Sequence, residues 1–240
     1  MYGMGTIINT LAIVAGGAGG AVFGRFLGEK VQDTLTKCCG VSTLFIAVTG
    51  ALEQMLRVEN GSIVSGGAML VVLCLTIGAV IGEWMNLEGA FEGFGEWLKR
   101  KTGNAKDRGF VDAFVTASLT VCIGAMAIVG SIEDGITGDY SILATKAVLD
   151  FIIIMVMSCS MGRGAVFSAI PVAVFQGSIT ALAGVIRPLM TEAALGNLSM
   201  VGNVLIFCVG INLVWGKKIR VANLLPAILI AVVAAFLRQL

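Results

Sequence analysis

Histidine is absent from this chain, and with it go His-containing metal sites, imidazole acid–base chemistry and a histidine pH switch. A side chain that carries a proton through this protein must therefore be a carboxylate. Charge is scarce too: 13% of the residues are charged, whereas soluble globular chains carry about 25%. With 57% apolar residues and a mean hydropathy of +0.95, a soluble fold has no way to hide so much apolar surface. No stretch alternates polar and apolar residues over ~10 positions, which sets a transmembrane barrel aside. No basic tract is present and the net charge is +1, so no nucleic acid is expected as a partner. There is no G-x-S-x-G, P-loop or H-E-x-x-H pattern and no carboxylate pair at metal-ligand spacing. No enzyme, cofactor or metal site is expected. Six cysteines, Cys38, Cys39, Cys74, Cys122, Cys159 and Cys208, form no CxxC and read as small buried hydrophobes.

What is present is a series of long apolar runs, each near the ~20 residues that a ~30 Å hydrocarbon layer requires. They fall at Gly5 to Gly24, Cys38 to Leu56, Ser65 to Met85, Phe110 to Gly130, Ser141 to Ser160, Gly164 to Gly184, Ser199 to Trp215 and Val221 to Leu237. The expected fold class is all-α, a polytopic membrane protein of eight spans in one transmembrane domain, 1–240. No basic region precedes the first run and no cleavage site follows it, so it is read as a retained span.

Short cytoplasmic loops collect positive charge. Alternating the sides puts Arg25, Lys30, Lys37, Lys99, Arg100, Lys101, Lys106, Arg108, Arg163, Lys217, Lys218 and Arg220 together, against only Arg57, Arg187 and Arg238 opposite. With Lys146 inside a span these are all sixteen basic residues. The asymmetry predicts both termini outside the cytoplasm. The loop after the third span, residues 87–101, sets Leu87, Phe91, Phe94, Trp97 and Leu98 on one helical face and Glu88, Glu92, Glu96, Lys99 and Arg100 largely on another. It predicts a helix lying in the cytoplasmic interface.

Sliding the chain by 160 residues pairs Val14 with Val174, Gly17 with Gly177, Ala21 with Ala181, Gly24 with Gly184, Val41 with Val201, Ile46 with Ile206 and Gly50 with Gly210. Repeat one is 5–85 and repeat two 164–238, with the central spans 110–160 between them. In each copy a Gly-rich span leads through a short connector, Phe26 to Lys37 or Ile186 to Leu198, into two further spans. A displacement of five spans is odd, so the copies run in opposite senses, as in many secondary transporters. That principle directs attention to the Gly-rich stretch around Gly17 and to Pro171 and Gln176-Gly177.

Charges at membrane depth are costly, ~2.5–3.5 kcal/mol on insertion scales. Lys146 and Asp150 stand one turn apart on the fifth span. They form either a neutral pair that locks helices or a switchable pair whose carboxylate takes up a proton or cation. Asn9, Thr10, Gln176 and Asn212 are uncharged polar groups within spans that can coordinate a solute or bond between helices. Asp112 and Glu83 lie near the cytoplasmic ends of their spans. Glu133, Asp134 and Asp139 fall in an outer loop, Ser131 to Asp139, read as a solvated turn. The candidate binding residues are thus Lys146, Asp150, Gln176, Asn9, Thr10, Gly17, Gly177, Asn212 and Asp112.

At Gly5-Thr6-Ile7-Ile8-Asn9-Thr10, Gly82-Glu83-Trp84, Phe114 to Leu119, Gly124 to Ser131 and Lys146 to Asp150, and at Ile219 to Pro226, the chain resembles the YqgA/YdfK-like family of uncharacterised bacterial inner-membrane proteins. The resemblance covers nearly the whole length and implies a bacterial cytoplasmic membrane location. It supplies no substrate. The residues themselves point to a secondary transporter of a small molecule or ion, embedded in the lipid bilayer and expected to form a homodimer. A channel, or a sensor or scaffold docking through residues 87–101, are the alternatives.

Overall fold

The computed structural model describes residues 2–59, 61–107 and 109–237. Arg108 and Arg238, both used in the charge count, lie outside them. The fold is all-α. Its helices are α1 (Met4–Phe23), α2 (Glu29–Met55), α3 (Ala68–Met85), α4 (Leu87–Lys101), α5 (Phe110–Cys122), α6 (Ala125–Ile136), α7 (Ser141–Met161), α8 (Ala169–Ala181), α9 (Ala183–Ile186), α10 (Glu192–Trp215) and α11 (Pro226–Leu237).

Among the described residues, six helical segments are long and apolar enough to cross a membrane: α1, α2, α3, α7, the 3-10 turn Arg163–Ser168 continued by α8, and α10. The fourth apolar run, expected as one helix, is instead broken into α5 and α6, which meet at 62°. Ile123 is extended and Gly124 sits at φ 158°, a backbone conformation that only glycine takes without strain. The pair still traverses the bundle. Phe110 at its start lies against Gly164, where the sixth run begins, and Gly135 at its end lies against Thr180 and Ala183, where that run ends. The last run is shorter, but Ala227 packs on Gly78 and Asn223 on Gly82, an antiparallel register that carries α11 along α3 toward Ala68.

Glycine sets how closely the helices approach. Gly16, Gly20 and Gly24, four apart, lie against the backbone of Phe151, Met155 and Cys159, so α1 and α7 run parallel with their main chains in contact. α1 meets the sixth run antiparallel, Gly17 against Val166 and Thr6 beside Thr180. α2 meets α10 in the same sense, Gly40 against Leu213 and Val214, Gly50 against Asn203 and Leu44 against Gly210. α10 also packs along α11, whereas α2 and α3 have no comparable packing among the described residues. Phe110, Phe114, Leu143, Ile154, Met157 and Leu205 are fully buried in the core. Phe45, Ile46, Val80 and Trp84 of α2 and α3 are exposed, the arrangement expected of lipid-facing helices.

These registers put the ends of α1, α7 and α10 and the starts of α2 and α5 on one side. Arg25, Lys30, Lys37, Lys99, Arg163 and Lys217 all lie there, and that side is termed the basic face. On the opposite side α2 runs into an exposed hairpin that the sequence reading did not anticipate. Its strands β1 (Leu56–Glu59) and β2 (Ser62–Ser65) pair antiparallel with Val58 opposite Ile63.

The helix expected at 87–101 is present as α4, with one residue of its polar face turned inward. Glu88, assigned to the polar face, is buried with Gly95 and Leu98, and Phe94 and Trp97 are exposed and stacked at 5.7 Å. The reason lies in the 3-10 turn Val221–Leu224. Glu88 accepts a hydrogen bond from the Ala222 N–H (3.0 Å), its own N–H donates to Asn223 Oδ1 (2.7 Å), and Lys217 reaches its carboxylate at 2.9 Å. Ser131 to Ile136 is likewise not loop but the second half of α6.

A buried polar cluster at a helix break

Residues 146 and 150 share a face of α7 because four residues make one helical turn. Their side chains are buried, and Lys146 Nζ lies 2.6 Å from Asp150 Oδ2. The same oxygen accepts Asn9 Nδ2 from α1 at 3.0 Å, and Asn9 Nδ2 also donates to Gln176 Oε1 on α8 at 3.3 Å. Four of the nominated residues from three helices thus form one hydrogen-bonded chain.

The cluster continues to a group that no side-chain inspection nominates. Lys146 Nζ donates to the carbonyl oxygen of Val121 at 2.9 Å. Val121 is in the last turn of α5, whose carbonyls lose their intrahelical partners where the helix stops. The ammonium therefore caps a half-helix at its negative dipole end. An isolated Gly124 inside an apolar run was the available signal for the break.

Two atoms of the cluster are left over. Asn9 Oδ1 and Gln176 Nε2 are buried, in residues 0% and 1% exposed, and have no hydrogen-bond partner among the described residues. Buried polar groups are nearly always paired, so an acceptor and a donor on neighbouring amides are open beside an ion pair.

The other nominated residues lie elsewhere. Thr10 donates back to Thr6 O within α1 (2.7 Å). Gly17 serves the contact with Val166, and a Cβ at Gly177 would meet nothing within 4 Å. Asn212 closes the loop after α10: its Oδ1 accepts Lys218 N–H and Ile219 N–H, both at 2.9 Å, and its Nδ2 donates to Ile219 O at 2.7 Å. Asp112 is exposed and lines a cavity of about 290 Å³ that opens on the basic face, walled also by Thr116, Leu119, Asn212, Glu88 and Lys217. From Asp112 to Leu119 the cavity follows α5 for about 10 Å, and Val121 is two residues further on.

Asp134, read as part of a solvated turn, is fully buried. Its carboxylate accepts the N–H groups of Gly3 (3.2 Å) and Gly5 (2.9 Å) at the start of α1, the positive end of that helix. The signal available in the sequence was the helical spacing that sets Asp134 in line with the small residues Ala127, Gly130 and Ser131. At the cavity mouth, burial pulls the Lys217 ammonium toward deprotonation, but hydrogen bonds and charge from Glu92 and Glu88 outweigh it and raise its pKa above the lysine value of 10.5.

Comparison with known proteins gives a consistent picture. The family described as "Protein of unknown function (DUF554)" matches residues 4–236. The "Uncharacterized membrane protein YdfK" of Bacillus subtilis (strain 168) is 30% identical over 232 residues, which cover 97% of this chain and 95% of that protein. The "Uncharacterized protein YqgA" of Escherichia coli (strain K12) is 29% identical over 232 residues, 95% and 94% of the two chains. No solved structure matches.

Proposed function

The chain belongs to the DUF554 family, and we propose that it is a small secondary transporter that moves a small solute or ion past Lys146 and Asp150. The observation that carries this reading is a buried ion pair hydrogen-bonded to the end of a broken helix. A pair kept for packing alone is often replaceable by apolar side chains of similar volume without loss of stability. Half-helix ends at membrane depth are where transporters bind their ions and solutes.

A line of polar groups supports a path. From the side of Asp134 it runs through Thr6 and Thr180, whose hydroxyls are 3.4 Å apart, to Asn9 and Gln176, then to Asp150, Lys146 and the Val121 carbonyl. Beyond Leu119 the cavity of Thr116 and Asp112 opens on the basic face. By the positive-inside rule that face is cytoplasmic, in a bacterial inner membrane, with both termini outside. The inverted repeat draws support from three antiparallel pairs, α1 with α8, α2 with α10 and α3 with α11, and from Gly50 and Gly210, which share the α2–α10 contact. The packing of α10 on α11 without a counterpart between α2 and α3, and the open surroundings of Gly177 and Gly184, are where the copies differ. A homodimer is proposed on the general tendency to symmetric association, with the exposed faces of α2 and α3 free for lipid or a second copy.

The test is solute flux in proteoliposomes containing only this protein, native against Lys146→Ala and Asp150→Asn. Saturable flux that both substitutions abolish is the expected result, and flux proportional to concentration without limit identifies a channel. If no ion or metabolite moves, or both variants transport normally, the pair is structural and the reading fails.

A further inference from the structure

Resting on that transport reading, we infer that the coupling ion is a proton carried by Asp150, and that Asn9 and Gln176 pass its arrival on by exchanging which end of each amide is free. Three of the oxygens at the centre are already faced by nitrogen donors, which leaves only Asn9 Oδ1 and Asp150 Oδ1 open among the described residues. Asp150 Oδ2 receives Lys146 Nζ and Asn9 Nδ2, the Val121 carbonyl receives Lys146 Nζ, and Gln176 Oε1 receives Asn9 Nδ2. A hard metal cation needs a shell of oxygens, and here the tethered ammonium of Lys146 stands where such a cation would sit. A proton needs one lone pair. Among the described residues Asp150 Oδ1 accepts no hydrogen bond, so the carboxylate has a place for it.

Among the described residues, the surroundings of Asp150 contain no second carboxylate. Lys146 faces it from α7, Asn9 from α1 and, through Asn9, Gln176 from α8. Cys122 of α5 is the other titratable group within electrostatic reach. Histidine is absent from the chain. Uptake forms an O–H bond on Asp150 and turns a neutral pair into one net positive charge on Lys146. The Val121 carbonyl and the negative end of the α5 dipole stay with that ammonium, which gives the helix break a purpose: it holds Lys146 charged while its carboxylate partner is neutral.

The amides follow from donor and acceptor rules. An ionised Asp150 accepts only, so Asn9 must present its NH2. That choice leaves Asn9 Oδ1 and Gln176 Nε2 as the buried ends without partners. A protonated Asp150, its carboxyl turned about Cβ–Cγ so that the new O–H on Oδ1 takes the place of Oδ2 beside Asn9, can donate instead. Asn9, rotated half a turn about Cβ–Cγ, then offers Oδ1 to that O–H, and Gln176 turned likewise offers Nε2–H to the same oxygen. The open ends reverse, from a carbonyl on Asn9 and an NH2 on Gln176 to an NH2 on Asn9 and a carbonyl on Gln176. A solute that bonds the open ends is thereby matched to one protonation state.

Infrared difference spectra of the full chain in phospholipid vesicles, taken across the pH range, read both events. The expected result is a protonated-carboxyl band that appears with uptake of one proton, vanishes in Asp150→Asn and is displaced in Asp150→Glu, which keeps the charge should the first variant fail to assemble. Side-chain amide carbonyl bands, assigned by carbon-13 labelling of Asn and Gln, shift at the same midpoint. Gln176→Leu keeps the carboxyl band and loses the glutamine part of the shift. Absence of a titrating carboxyl band, its survival in Asp150→Asn and unmoved in Asp150→Glu, or amide bands that ignore its titration each overturn the inference. Failed flux in proteoliposomes removes the transport reading, whereas flux that occurs and is indifferent to an imposed proton gradient removes the proton alone.

Discussion

Lys146 terminates a helix to which it does not belong: its ammonium lies 2.9 Å from the carbonyl oxygen of Val121, twenty-five positions earlier, while the same nitrogen holds Asp150 at 2.6 Å. Removing one partner of a buried pair strands the other. Lys146→Met leaves a carboxylate with the Asn9 amide alone, and Asp150→Leu leaves an ammonium with one carbonyl. Each is expected to cost about 3–5 kcal/mol, and Lys146→Met with Asp150→Leu to recover most of the loss. Unfolding in detergent measures this. If the double variant is stable and carries no flux, the pair is there for function, and if it is no better than the single variants the pair is not coupled.

The α1–α7 contact makes a discriminating prediction about neighbouring glycines. A Cβ at Gly20 or Gly16 would run into the carbonyls of Met155 and Phe151, while one at Gly19 meets nothing within 4 Å. Gly16→Ala and Gly20→Ala are expected to destabilise by about 1–3 kcal/mol through forced separation of the helices. Gly19→Ala is expected to be neutral or slightly stabilising. Thermal melts of the three variants check it, and equal melting temperatures would contradict the packing.

Much of this architecture was legible in the sequence because hydropathy and charge act along the chain. The apolar runs marked the six long helical segments, the broken pair α5–α6 and the shorter α11, and the basic residues marked a face. Lys146, Asp150, Asn9 and Gln176 were nominated because polar groups in apolar runs are conspicuous. What stayed hidden depended on where backbone donors and acceptors come to lie. That Asn212 closes its own loop and Glu88 turns inward to Ala222 follows from backbone N–H groups needing acceptors, and composition does not display where those groups lie. The role of Val121 is a property of a main-chain carbonyl freed by Gly124, and no side chain advertises it.

Asp134 gives a third prediction. It is fully buried and accepts the N–H groups of Gly3 and Gly5, donors that α1 cannot satisfy internally. Asp134→Ala removes both acceptors and is expected to cost roughly 1–3 kcal/mol, with the loss concentrated at the N-terminal turn of α1. Asp134→Asn, which keeps one acceptor, is expected to fall between. Hydrogen exchange at the amides of Gly5 and its neighbours reports the local part, and exchange unchanged from native would show the cap to be idle.

The ion pair at the cavity mouth has a pH dependence whose sign is fixed. Glu92 and Glu88 raise the pKa of Lys217 above 10.5 in the folded chain, against the opposing effect of burial. A raised folded pKa contributes stability that is fully present below the unfolded value and is lost as pH climbs through the folded one. The contact that holds α4 against the loop after α10 should therefore weaken on the alkaline side. Lys217→Met is expected to melt below native at neutral pH, with the difference closing as pH rises beyond the ordinary lysine range. Lys217→Arg, whose guanidinium keeps its charge there, should hold its difference from Lys217→Met over the same range. Melting curves of the three proteins from neutral to strongly alkaline pH decide it. A native advantage that grows with pH would mean that the carboxylates of α4 do not hold Lys217 in its charged form.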